Sequence, residues 1–250
     1  MIGIVGGTHL LENEILREKK EIEVQTPFGV AEVDLGVLDG VEVAIVQRHG
    51  RKKDKPPHRI NHQANFYALK SLGVTKVIGM GSAGCLREEI EIPAIIVPHD
   101  YIDFFSGITI FNDSLVYVTP GFDEELRRVL LTVAKRVSKL PVIENGVYFQ
   151  TRGPRLETVA EIAMIKNFAD CVGMTAGSEA TIAKELGIHY AVICTMDNYA
   201  HGIKGARVEY EEIIRKAKEN AKNCVEIVKE AVKILAKDYH AFHFNLNSKV

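Results

Sequence analysis

A large excess of either charge is missing from this chain: 31 Lys and Arg stand against 33 Asp and Glu, a formal net of −2. That balance lacks the concentrated positive field general nucleic-acid binding needs. Cysteine is scarce as well. Cys85, Cys171, Cys194 and Cys224 form no C-x-x-C pair and sit among apolar or small neighbours, which reads as reduced thiols rather than a disulfide framework or zinc site. No apolar stretch is long enough to span a bilayer. The start, "MIGIVGG", has neither the basic nor the long apolar segment of a signal peptide. No internal repeat, low-complexity tract or linker divides the sequence. The expectation is a soluble, cytoplasmic protein with neither nucleic-acid nor membrane partners.

What is present is a core. With 46% hydrophobic residues, 250 residues can bury one full α/β domain. Short β-branched runs read as strands: "IGIV", "AEVDLGVL", "VEVAIVQ", "KVIGMGS", "AIIVP", "GVYFQT" and "YAVICT". Helical patterns lie between them. "INHQANFYALKSLG" closes on Gly73. "FDEELRRVLLTVAKRVSKL" opens acidic and ends basic, as a helix dipole favours, and "SEATIAKELG" has a Ser start and a Gly stop. From Glu209 to Lys237, apolar residues at Ile214, Ala217, Ala221, Val225, Val228, Val232 and Leu235 mark a long amphipathic helix. Alternating strands and helices imply a parallel or mixed sheet covered on its faces. The prediction is a single domain over 1–250, with 237–250 as an irregular tail.

Several turns carry chemistry. Gly6, Gly7 and Thr8 follow the first strand, where glycines admit an anion and a hydroxyl can donate to it; a tight turn explains them equally well. Arg48 and His49 come directly off the strand "VEVAIVQ", and the carboxyl ends of α/β strands are where ligands bind. The lysines beyond them, Lys52, Lys53 and Lys55, read as a solvated loop. His58 and His62 could share a helical face, but no third ligand accompanies them, so a metal is not expected. Gly81 and Ser82 lie in another small-residue turn. Glu157 precedes a helix after a Gly-Pro-Arg turn, and Met174 and Thr175 precede the helix near Ser178. Each has an ordinary packing or dipole explanation when taken alone.

In order, "IGIVGGT", "RHGR…PPHRINHQAN", "GSAGCLREE", "GPRLETVAE" and "GMTAGSEATIAKE" resemble the trimeric purine nucleoside phosphorylase and methylthioadenosine phosphorylase family, over Ile2 to about Asn220. The resemblance implies a single α/β domain with a mixed central β-sheet flanked by helices. It also implies phosphate-dependent cleavage of a purine nucleoside to free base and ribose 1-phosphate, as a pentosyltransferase with no metal or organic cofactor. It places Thr8, Arg48, His49, Gly81, Ser82 and Thr175 around phosphate and Met174 against the ribose. Glu157 and Asn198 would contact the base, with Asp197, Tyr199 and Ala200 beside it. Tyr210 would face the 5′ substituent, and Val118 would close a neighbouring subunit's pocket in a homotrimer or a dimer of trimers.

The departures from the family carry the specificity. In the adenosine-type branch the positions of Asn198 and Ala200 are both Asp, and that of Glu157 is a small hydroxyl residue. A 6-oxopurine presents an N1–H that Glu157 can accept, and an O6 to which Asn198 can donate. Mispaired buried polar groups reject the wrong base by roughly 10⁴-fold or more. The expected substrates are therefore 5′-methylthioinosine, inosine and guanosine, with 5′-methylthioadenosine phosphorylase or a non-catalytic purine sensor as alternatives. Strand alternation should turn Asp197 and Asn198 to different sides. Tyr210 fits either a 5′-hydroxyl or a methylthio group, and His9 stands where the family has a small residue.

Overall fold

The computed structural model describes residues 1–7 and 15–247; the side chains of 210 and 238–247 lie outside that description. The chain begins with β1 (Ile2–Gly6), β2 (Arg17–Thr26), β3 (Gly29–Leu38) and β4 (Val41–Gln47), then α1 (His62–Ser71), β5 (Lys76–Cys85), β6 (Ala94–Ile96) and β7 (Asp100–Ile102). It continues with α2 (Glu124–Val137), β8 (Val142–Ile143), β9 (Val147–Gln150), α3 (Val159–Ile165), β10 (Cys171–Gly173), α4 (Ala176–Glu185), β11 (His189–Tyr199) and α5 (Tyr210–Asn247).

All eleven strands join one mixed sheet with β5 as its hub. β11 runs parallel along one edge of β5 for its whole length. The other edge is shared: β1 pairs in parallel with Lys76 to Met80, and β10 meets Gly84 and Cys85 antiparallel. Between them, Gly81, Ser82 and Ala83 have no strand on that edge among the described residues. The sheet opens there, at the carboxyl end of β5, and the opening positions the site.

Strand alternation sends neighbouring residues to opposite layers. Val5, Val77 and Val192 pack under α1 and α4, against Phe66, Leu69, Ile182 and Ala183. Ile4, Ile78 and Ile193 pack under α2 and α5, against Leu130, Val133, Val228 and Val232. α2 forms where its ends are satisfied: Asp123 caps the Leu126 N–H at 2.9 Å, and Lys135 and Arg136 close the last turn.

Three elements differ from expectation. β2 was not legible as a strand, because "REKKEIEVQT" alternates weakly and is largely exposed; its partner β3 supplies the pairing. α5 continues helical through residue 247, so the irregular tail beginning at 237 is corrected. Residues 238–247 contain neither Gly nor Pro to stop a helix. β11 does not end with its apolar run at Thr195. It continues through Tyr199 with a β-bulge between Met196 and Asn198. Among the described residues no helix is long and apolar enough to cross a membrane.

Candidate active site

A cavity of about 560 Å³ lies at the carboxyl ends of β4, β5 and β11, closed on the far side by the first turns of α5. This is where an α/β sheet leaves backbone groups unpaired and ligands gather. It divides into a charged end, a polar end and an apolar wall.

At the charged end, Arg48 leaves β4 and is buried beneath the opening in the sheet. Glu179 of α4 holds it in a bidentate pair, Nε to Oε1 at 2.6 Å and Nη2 to Oε2 at 2.9 Å. Nη1 donates to the Met80 carbonyl at 2.6 Å and Nη2 to that of Val5 at 3.3 Å. Four of its five N–H groups are thus used inside the protein, leaving one Nη1 hydrogen for a ligand. Burial works against the Arg48 charge, but Glu179 outweighs it and raises its pKa. Tyr190 also donates its hydroxyl to Glu179. His62 lies 3.9 Å from the same carboxylate, and burial lowers its pKa to about 4, so it is neutral at physiological pH.

Around that cation sit groups that suit an anion. Thr175 occupies the N-cap of α4, yet its side chain makes no capping bond, which leaves the hydroxyl available at the positive end of a ten-residue helix. His49 donates Nδ1–H to the Lys55 carbonyl at 2.7 Å. The residue lines the same cavity. Ser82 is different. Its hydroxyl donates to Asp197 at 2.6 Å, so only its lone pairs and backbone amide remain. Ser82 lines the cavity as expected, and the lone pairs of its hydroxyl suit a ribose hydroxyl.

At the polar end, Glu157 is buried and accepts Thr151 Oγ1 on Oε1 at 2.6 Å. Oε2 has no partner among the described residues. Asn198 uses one Nδ2 hydrogen on the Tyr199 carbonyl at 3.0 Å, which fixes the amide plane and leaves one hydrogen and Oδ1 for a ligand. Both residues face the same cavity, as do Gly81, Met174 and Ala200. The apolar wall comes from Ile213, Ile214 and Ala217 of α5.

Asp197 is not a reader. Its buried carboxylate collects Ser82, Thr195 and Asn220, the last at 2.8 Å from α5. Asn198 lines the cavity and Asp197 does not, and the register shifts by one residue between Met196 and Asn198. Tyr199 is a correction. Its hydroxyl donates to Ile90 O at 2.7 Å and accepts from Lys204 Nζ at 2.8 Å, which turns the ring away from the cavity. Lys53 and Lys55 line the cavity mouth, contrary to a purely solvated loop. His58 lies in a separate 3₁₀ turn, Pro57–Arg59, so it shares no helix with His62. Val118 lies outside regular structure and does not line its own chain's cavity. Thr8, His9 and the Tyr210 side chain fall outside the described residues.

Glu179, Thr195 and His201 were missed. Glu179 stood in plain view as an acid among small and apolar residues in the first turn of α4. His201 ends the stretch "MDNYAH", but nothing in its spacing marks it; only the fold turns it toward the cavity.

The chain is similar to known proteins over nearly its whole length. A 70% identical relative over 233 residues, covering 93% of this chain and 96% of its own, is the probable 6-oxopurine nucleoside phosphorylase of Archaeoglobus fulgidus. The probable S-methyl-5′-thioinosine phosphorylase of Thermodesulfovibrio yellowstonii is 35% identical, covering 95% and 92%. A solved methylthioadenosine phosphorylase from an antarctic soil metagenomic library superposes with a TM-score of 0.85 at 28% identity, covering 95% of this chain and 87% of that one. The family model described as "Phosphorylase superfamily" matches residues 1–233, and with that match the chain belongs to the phosphorylase superfamily.

Proposed function

We propose that this protein is a phosphate-dependent nucleoside phosphorylase for 6-oxopurine nucleosides. The observation that carries the reading is the half-satisfied base end: a Glu157 carboxylate with Oε2 unengaged, beside an Asn198 amide with a free N–H. A hypoxanthine or guanine ring offers N1–H to the first and O6 to the second. Adenine would set a bare N1 against a carboxylate.

Cleavage of the glycosidic bond places positive charge on the ribose and negative charge on the purine. Asn198 supports that leaving anion through the N7 and O6 edge. Phosphate, held by the spare Arg48 hydrogen, His49, Thr175 and the open edge at Gly81 and Ser82, faces the sugar cation and supplies the attacking oxygen. Asn198 does not titrate, so it stabilises the anion without acting as a general acid. The lone pairs of Ser82 and Thr195, whose protons go to Asp197, suit ribose hydroxyls. The reaction uses phosphate as co-substrate and no metal or organic cofactor.

The wall of Ile213, Ile214 and Ala217 favours an apolar 5′ substituent, so 5′-methylthioinosine leads and inosine and guanosine follow. The protein acts in purine salvage in the cytoplasm as a homotrimer, in which Val118 of one copy covers the next copy's pocket. The deciding experiment is base release from 5′-methylthioinosine, inosine, guanosine and 5′-methylthioadenosine, each with and without phosphate. Phosphate-dependent hypoxanthine release, with methylthioadenosine nearly inert, is expected. Efficient cleavage of methylthioadenosine would overturn the base assignment, and turnover without phosphate would make the protein a hydrolase.

A further inference from the structure

We infer that His201 is a specificity residue that donates a hydrogen bond to the oxygen at C6 of the purine, an inference that rests on the 6-oxopurine reading and deepens it. Three observations lead there. First, His201 lines the cavity beside Ala200, and the small side chain at 200 leaves the space next to Asn198 open.

Second, its ring is held in one protonation pattern. The Val208 backbone N–H donates to His201 Nδ1 at 3.0 Å. A backbone amide can only donate, so Nδ1 carries the lone pair and the neutral ring carries its proton on Nε2. The free edge of the imidazole is therefore a donor. A 6-oxopurine accepts there, whereas a 6-aminopurine would oppose N–H to N–H.

Third, the turn that carries His201 is pinned on both sides. The Ala200 amide donates to Cys85 O at 2.9 Å, and the Gly202 amide donates to Ala206 O at 3.0 Å. Gly202 has φ +84°, and a Cβ built there would lie 3.0 Å from Val159 Cγ1. Val159 opens α3, two residues after Glu157. The turn is thus packed against the segment that presents Glu157 and follows directly on the strand that presents Asn198. His201 thus lines the same cavity as both base readers, with its donor preset.

The test compares wild type, His201→Ala and His201→Gln as full-length protein at saturating phosphate. Substrates are inosine and purine riboside, the second of which lacks both the C6 oxygen and the N1–H that Glu157 accepts, so its slow wild-type turnover is the reference for effects that do not pass through O6. His201→Ala should lower kcat/KM for inosine by about tenfold to a hundredfold while leaving purine riboside unchanged. His201→Gln, whose side-chain amide places an N–H near the same point, should recover most of the inosine activity. Equal losses on both substrates, or no loss on inosine, would overturn the inference. Failure of wild type to cleave inosine would sink the proposed function instead. The ratio of hypoxanthine to purine affinity in wild type and His201→Ala would then decide His201 on its own, with an unchanged ratio counting against it.

Discussion

The two ends of the cavity solve opposite problems. At the phosphate end the Arg48 charge is almost fully engaged before any ligand arrives, by Glu179 and two carbonyls. At the base end Glu157 and Asn198 each use one valence internally and keep the other open. An anion is the same for every substrate, so a rigid, buried cation with one spare hydrogen serves it. A base must be told from other bases, and unfilled valences do this because a mismatched ligand leaves them unpaired in a desolvated site.

The comparison can be broken most forcefully at Glu179. Glu179→Ala leaves a buried guanidinium without its partner and should cost about 3–5 kcal/mol of stability. Denaturant unfolding measures it, and a change below 1 kcal/mol would mean that Arg48 finds water. Asn198→Ala acts at the other end. It should lower kcat on inosine by about 10²- to 10³-fold with the melting temperature and the KM for phosphate unchanged. A rise in phosphate KM as large as the fall in kcat would show that the two ends are not separate. Thr175→Val probes a smaller contact. The hydroxyl caps nothing in the free protein, so phosphate KM should rise about tenfold with no loss of thermal stability.

His62 gives an effect confined to acid and absent at neutral pH. Burial lowers its pKa from 6.5 to about 4. At pH 7 the ring is neutral both folded and unfolded and contributes nothing to the pH dependence. Below about 6.5 the unfolded chain takes up a proton that the folded chain refuses, so stability falls with pH until the folded ring titrates near 4. His62→Leu should flatten the slope of stability against pH between those values. An identical slope in the variant would assign the acid loss to other groups.

Much of the site was legible because its residues sit at strand ends beside turn chemistry. Arg48 follows the run "VEVAIVQ", Thr175 precedes a helical pattern, which starts at Ala176 and not at Ser178, and the quoted motifs kept their order. Glu179 was not legible as a partner, since its contact with Arg48 spans 131 residues and no local pattern encodes it. Tyr199 and Asp197 were misassigned or left open for one reason. A bulge breaks the two-residue period that would have sorted them.

The sequence by itself determined the layers and the family. Apolar periodicity sets which faces are buried, and the motifs bring a Glu and an Asn where an adenine reader would carry a hydroxyl residue and an Asp. The tertiary structure decided which donors and acceptors remain free. Ser82 became an acceptor because its hydroxyl donates to Asp197, Arg48 kept one hydrogen because Glu179 takes two and the Met80 and Val5 carbonyls take two more, and His201 became a donor because the Val208 amide occupies Nδ1. Hydrogen-bonding capacity belongs to a residue type, but its remainder is set by neighbours that only folding brings into reach.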